Sequence, residues 1–200
     1  MLITVSGTQC VGKSTLIKDF LVEYKDFSTP EIDYRKIILE QKLNLNRQGD
    51  YRSQKVLFDF VLDQSKEFAA KPGNYILDRS LLDVVAYSTW LHQNRPEAGF
   101  TDDNIAEMYQ GLIKNIYLYN VIFYIPLKNN SHVKIEDDNF RDTNEDYRLE
   151  IDKIFDNIVD DLSLCKTNIY HISGTREERI EQIKKELMFA SLGVHESLKK

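Results

Sequence analysis

The chain has 200 residues, with 26 Lys and Arg against 32 Asp and Glu for a formal charge of −6, and 42% of its residues are hydrophobic. That is room for one domain with a sizeable core, and the acidic balance argues against duplex nucleic acid as the main partner, because such binding needs concentrated Lys and Arg. No apolar run is long enough to span a membrane, no signal peptide is expected because the apolar start runs straight into a glycine loop, and two cysteines, Cys10 and Cys165, make no disulfide framework, so a reducing cytoplasm is expected.

Met1 to Ser6 is a short apolar run rich in β-branched residues and reads as a strand. Gly7-Thr8-Gln9-Cys10-Val11-Gly12-Lys13-Ser14-Thr15 follows it and matches G-x-x-x-x-G-K-[ST]. A helix over 12–24 comes next, which is the context a phosphate-binding loop requires. Gly7 and Gly12 let the backbone turn tightly and present its N–H groups to an anion. The helix N-terminus adds free donors and positive potential. Lys13 supplies a mobile charge for β- and γ-phosphates, and Ser14 a hydroxyl for Mg²⁺. The motif implies a nucleoside triphosphate, expected to be ATP.

Phe27 to Pro30 reads as the tail of a second strand, followed by Glu31 and Arg35 where the carboxyl end of a strand would bring them to a ligand. A helix is predicted over 32–43, a loop over 44–51 and a long helix over 52–71 carrying Val56, Leu57, Phe60 and Val61 at helical spacing, stopped by Pro72-Gly73. Asn74 to Asp78 reads as a buried strand and runs through Arg79-Ser80 into a helix with Leu82, Val85, Ala86 and Trp90. Thr101 is the predicted cap of the next helix. Val121 to Ile125 is the clearest strand. Lys128 to Glu145 is polar and long, a candidate lid. A helix over 146–164, a strand over 168–172 and a last helix after Gly174-Thr175 close the domain near residue 190, and 191–200 are expected to be a flexible tail. His92, His132, His171 and His195 have no metal-ligand spacing. The fold class expected is α/β: a single domain with one doubly wound parallel sheet, helices on both faces and a lid.

Asp78-Arg79-Ser80 lies where a buried strand meets a helix, so its end of the sheet opens into the same crevice as the phosphate loop. An acid there can hold Mg²⁺ or its water, and an arginine can bind phosphate bidentately. Together with the loop, Leu77-Asp78-Arg79-Ser80-Leu81-Leu82-Asp83 resembles the P-loop nucleoside and nucleotide kinases, in the branch of thymidylate kinase, deoxynucleoside kinases and nicotinamide riboside kinases. Thr29-Pro30-Glu31 with Arg35, Asn139-Phe140-Arg141, and Ile172 to Ile180 resemble that branch's acid-bearing segment, lid arginine and base-packing loop more loosely.

The resemblance implies roles. The loop amides and Lys13 would hold the donor phosphates, with Gly174 and Thr175 beside the donor base. Ser14 and Asp78 would manage Mg²⁺, and Arg79 would bind the acceptor or the moving phosphoryl. Glu31 would contact the acceptor, as a base if a hydroxyl is to be deprotonated. Arg141 would close over the transferring group, with Arg148 as its competitor in an otherwise acidic stretch; Arg35 would contact the substrate with Glu31, and Gln64 and Asp83 would read sugar or base. The activity expected is transfer of the γ-phosphoryl of ATP–Mg²⁺ to a (deoxy)nucleoside monophosphate. The alternatives are a nucleoside, nicotinamide riboside or DNA base or end as acceptor, and a nucleotide-binding regulatory module without transfer. A homodimer through helices beside the acceptor site is a family trait.

Overall fold

The computed structural model describes residues 1–32, 34–128, 130, 142–163 and 168–191. Within them β1 (Leu2–Ser6), β2 (Phe27–Ser28), β3 (Asn74–Asp78), β4 (Val121–Tyr124) and β5 (Ile169–His171) form one parallel sheet in the order β2-β3-β1-β4-β5. The helices are α1 (Lys13–Glu23), α2 (Tyr34–Gln41), α3 (Tyr51–Ala70), α4 (Leu81–Asn94), α5 (Asp102–Asn115), α6 (Glu145–Ser163) and α7 (Arg176–Ser191).

Alternation along the strands sorts the core into two layers. Ile3 and Val5 of β1, Ile76 of β3 and Phe123 of β4 pack with Leu16, Ile17 and Phe20 of α1 and Ile183 of α7. Leu2, Leu77, Ile122 and Tyr124 face the other way, into a larger core filled by α3, α4, α5 and α6. α4 is buried along most of its length, which explains why it reads as a nearly continuous apolar run. The strand order reverses direction at β1, between β3 and β4, so the crevice expected for a ligand opens beyond the ends of these strands.

The predicted elements are present, with shifts at their ends that local chemistry explains. α2 is shorter than the helix predicted over 32–43, because Lys42 adopts a left-handed φ of 51° and the Leu43 amide bonds back to the Ile38 carbonyl at 3.0 Å, a helix-ending turn. α3 begins at Tyr51 because Asp50 accepts from the Ser53 amide at 2.7 Å. Thr101 caps α5 as predicted, and Asn104 bonds the Thr101 amide in return. The loop over 44–51 contains a short 3₁₀ turn at Asn46–Gln48. Most of the predicted lid, including Arg141, and all of the predicted tail but Ser191 lie outside the described residues.

Candidate functional site

The phosphate loop joins β1 to α1 and is drawn tight by its backbone. Gly7 has φ 141°, and a Cβ there would run into the Ile125 carbonyl oxygen. Cys10 sits at φ 60° and Gly12 at φ 90°, the last as the N-cap of α1 without a side-chain cap. The unclosed amide donors of this first turn are those a bound anion would use. Thr8, Gln9 and Val11 are buried beneath the loop, and Thr15 is exposed on the first turn of α1. Lys13 is folded back, its Nζ donating to the Gly7 carbonyl at 2.6 Å and the Thr8 carbonyl at 2.7 Å. Burial, helped by the nearby Arg79 charge, lowers its pKa to about 8.

Two arginines brace the loop from behind. Arg148 of α6 donates Nε to the Gln9 carbonyl at 3.2 Å and Nη2 to the Cys10 carbonyl at 3.5 Å. Arg179 of α7 donates Nη1 to the Val11 carbonyl at 2.8 Å, Nε to the Gly174 carbonyl at 2.9 Å and Nη2 to Asn130 Oδ1 at 2.5 Å. In a trans peptide the C=O and the following N–H point in opposite directions. Holding the carbonyls of residues 9, 10 and 11 on one side therefore turns the N–H groups of Cys10, Val11 and Gly12 to the other. Gly174, at φ 93°, meets the same cluster through its amide, which donates to Asn130 Oδ1 at 3.1 Å. Thr175 starts α7, its amide donating to Glu178.

Asp78 ends β3 next to this loop. Its Oδ2 accepts from Ser14 Oγ at 3.2 Å, while its Oδ1 is buried without a hydrogen-bond partner. A carboxylate oxygen left over beside a hydroxyl is the donor set that a hard divalent cation such as Mg²⁺ takes, so the pair fits that ion.

Arg79 has φ 85°, a left-handed conformation in a residue that is not glycine. Its Nη1 lies 3.5 Å from Asp83 Oδ1, its Nη2 donates to the Tyr34 hydroxyl at 3.3 Å, and its guanidinium stacks between the rings of Tyr34 and Tyr87 at 4.6 and 5.4 Å. Burial opposes its charge, but the surrounding tyrosines and carboxylates hold it firmly protonated. Asp83 is pushed upward by burial and drawn back by Arg79 and Lys13. Its oxygens also accept from the Ser80 amide at 2.9 Å and the Gly7 amide at 3.4 Å, so it caps α4 while tying that helix to the phosphate loop.

Tyr34, Arg79, Asp83 and Tyr87 line a cavity whose other walls include Leu45, Asn46 and Gln54 from the α2–α3 side, with Leu57, Val61 and Val84 as its apolar floor. Of the residues singled out from the sequence, Arg79 and Asp83 meet in this cavity; the phosphate loop reaches it through the Gly7 amide on Asp83, and Asp78, paired with Ser14, is not among the lining residues. Glu31 is exposed ahead of α2 and Arg35 is half-buried on α2; neither is among the lining residues. Gln64 lies outside the lining too, its Nε2 donating to the Ile32 carbonyl at 2.8 Å. Sequence reasoning did not find Gln54, Tyr34 or Tyr87, nor the bracing role of Arg179. A signal existed for Tyr87: residues 79, 83 and 87 recur at four-residue spacing, and 83 and 87 share one face of α4.

A family model described as an AAA domain matches residues 2–179, from β1 through the bracing arginine of α7. No curated protein sequence matches. Among solved structures, thymidylate kinase from Candida albicans is similar at 16% identity over 96% of this chain and 92% of that one, with a TM-score of 0.66. Deoxyadenosine kinase from M. mycoides, solved with products dCMP and a flexible dCDP bound, is similar at 17% identity over 94% and 99%, with a TM-score of 0.65. NadR protein in complex with NR is similar at 15% identity over 92% of this chain, with a TM-score of 0.67, and the chain spans half of NadR. At these identities the likeness is one of fold.

Proposed function

The chain belongs to the AAA-domain family, and we propose that within it this protein is an ATP-dependent kinase, transferring the γ-phosphoryl of ATP–Mg²⁺ to a small acceptor of the nucleoside class, free or as its monophosphate. The observation that carries the reading is the shared crevice. A phosphate loop and a walled cavity headed by Arg79 meet through the Asp83–Gly7 contact. A regulatory nucleotide-binding module has no need of the second compartment. The similar fold of thymidylate kinase and deoxyadenosine kinase agrees with it.

In this reading the N–H groups of Cys10, Val11 and Gly12 receive the donor phosphates, and Lys13 leaves the Gly7 and Thr8 carbonyls to pair with them. Ser14 and Asp78 would hold Mg²⁺, whose charge would offset that of the β- and γ-phosphates. Arg79 faces the acceptor compartment with its charge fixed and its plane clamped, ready to orient the attacking group and to screen charge during transfer. A monophosphate acceptor attacks as an anion and needs no base. A sugar hydroxyl must lose a proton, and Glu31 is the proposed acceptor of it. Arg141, as the resemblance implies, would close over the transferring group.

The test is ATP consumption with Mg²⁺ against nucleosides, (deoxy)nucleoside monophosphates, nicotinamide riboside and short DNA. Turnover that appears only with one acceptor is expected. Turnover that ignores every acceptor, or ATP binding with silence across the panel, would overturn the reading in favour of an ATPase or a regulatory module.

A further inference from the structure

Asp142 joins parts of the fold that are far apart in the sequence. Its backbone carbonyl accepts from Gln9 Nε2 of the phosphate loop at 2.6 Å. Its carboxylate accepts from Arg47 as a bidentate fork, Oδ2 from Nε and Oδ1 from Nη2. Oδ1 also accepts from the Asn144 amide at 3.0 Å, and Asn144 Oδ1 accepts from the Tyr147 amide at 2.9 Å. Asp142 is therefore seated on the capped start of α6. Gln9, at its first end, is 3% exposed and is held from α6 a second time, its carbonyl accepting from Arg148 Nε.

The second end of this strap is the wall of the cavity. Arg47 does not line the cavity itself, but it sits in the 3₁₀ turn Asn46–Gln48, and its neighbours Leu45 and Asn46 do. That turn is tightly closed. Asn46 has φ 52°, the Gln48 amide donates to the Leu45 carbonyl at 3.0 Å, and the Gly49 amide donates to the Asn46 carbonyl at 3.0 Å. It moves as a unit, so a shift of the Arg47 side chain carries Leu45 and Asn46 with it. Isolated surface ion pairs contribute little. This one is bidentate, and the Asp142 side chain is 13% exposed against 51% for Arg47. It is strong enough for a modest link and too weak for the fold to depend on it.

We propose that Asp142 is a positioning residue that couples the phosphate loop to the wall of the acceptor cavity, so that ATP and the acceptor each raise the other's affinity. This rests on the kinase reading above. The strap from Gln9 through Asp142 to Arg47 is complete only while both ends keep these positions. A ligand that fixes one end therefore favours the matching position at the other, and the effect is reciprocal. The test is calorimetric titration of the whole protein with AMP-PNP–Mg²⁺, alone and with each nucleoside and 5′-monophosphate of the panel above at saturation. It compares wild type, Asp142→Asn, Arg47→Gln and the double variant. With the acceptor that supports turnover, AMP-PNP should bind wild type about 5- to 10-fold more tightly. In each single variant that gain should shrink to about twofold or less, and the double variant should lose nothing more. AMP-PNP affinity without acceptor should stay within about threefold of wild type in all of them. Wild-type binding that ignores the acceptor overturns the proposal. So does a gain that survives in the variants, which would leave Asp142 a structural anchor of α6. So does a loss of acceptor affinity in Arg47→Gln alone, which would make Arg47 an acceptor ligand. These three results leave the kinase reading standing, whereas the absence of acceptor-dependent turnover overturns both.

Discussion

Replacing Arg179 with alanine tests whether the phosphate loop owes its shape to the arginines behind it. Arg179 is 4% exposed and makes three hydrogen bonds, to the Val11 carbonyl, the Gly174 carbonyl and Asn130 Oδ1. Alanine leaves all three acceptors without that donor. The Val11 carbonyl is the costliest, because Val11 is wholly buried and an unsatisfied buried acceptor costs about 1–3 kcal/mol. The Gly174 carbonyl lies in a part-buried position that water can reach, and Asn130 Oδ1, although buried, keeps the Gly174 amide as a donor, so a total of about 2–4 kcal/mol is expected, a fall of roughly 5–15 °C in Tm for a chain of this size. The Gly12 amide, opposite the Val11 carbonyl, also loses its fixed direction, and ATP affinity should fall about tenfold, close to 1.4 kcal/mol. Arg179→Lys, able to reach one acceptor at a time, should fall between. Thermal unfolding combined with ATP titration reads both effects. An alanine variant that melts lower but binds ATP as tightly as wild type would refute the bracing argument and leave Arg179 a purely structural residue.

Lys13→Ala should abolish phosphoryl transfer and leave the circular dichroism spectrum native; retained activity would sink the assignment of the loop. Arg79→Ala should cut kcat by about 100-fold or more with the ATP KM changed only a few-fold, and a collapse of ATP binding alone would move Arg79 to the donor side. Because burial holds Lys13 at about 8 in the ligand-free protein, kcat/KM for ATP should fall as pH rises through 8, whereas kcat at saturating ATP should hold to higher pH, since bound phosphate favours the charged amine. The same depressed pKa means that the folded state binds fewer protons than the unfolded one between about 8 and 10.5, so the ligand-free fold gains stability from this group as pH rises through that window. Gly7→Ala, at φ 141° with the Ile125 carbonyl oxygen in its path, should fail to fold or lose several kcal/mol, about the sum of a left-handed strain and a backbone clash, as measured by soluble yield and denaturant unfolding.

The phosphate loop and the α/β order were legible in the sequence because each rests on a short, local signal: fixed glycines next to a lysine, and apolar runs whose period distinguishes strand from helix. Asp78 and Arg79 were legible through their place at a strand end. The cavity was not, because its walls come from segments far apart in the chain. Tyr34 and Gln54 stand on opposite sides of a 3₁₀ turn and look from sequence like surface helix residues. Gln64 shows the converse. The resemblance implied a ligand contact for it, but its Nε2 donates to the Ile32 carbonyl. Arg179 stood inside the loosely matched segment over 172–180, where Arg176 was an equal candidate; only packing separates them, since Arg176 is spent on a surface pair with Asp19 and Arg179 reaches the Val11 carbonyl.

The backbone at Arg79 explains why the crevice has the form it has. A left-handed residue other than glycine costs on the order of 1–3 kcal/mol and persists only where its surroundings over-determine it. Here they do. The Arg79 amide donates to the Val5 carbonyl at 3.0 Å, its carbonyl accepts from Thr4 Oγ1 at 2.8 Å, and Ser80 with Asp83 closes a capping box immediately after it. β1 and α4 thus clamp both sides of one strained residue. The positive φ departs from the extended strand path just where α4 must begin, and the Arg79 guanidinium is held between Tyr34 and Tyr87 in the crevice. Asp83, which caps the helix, is also the counter-ion of that arginine and the acceptor of the Gly7 amide. One carboxylate therefore links helix start, the Arg79 cavity and phosphate loop, so a change at Asp83 cannot be read as the loss of a single contact: its effects on folding, on Arg79 and on the loop are one coupled quantity, separable only by double-mutant cycles with Arg79.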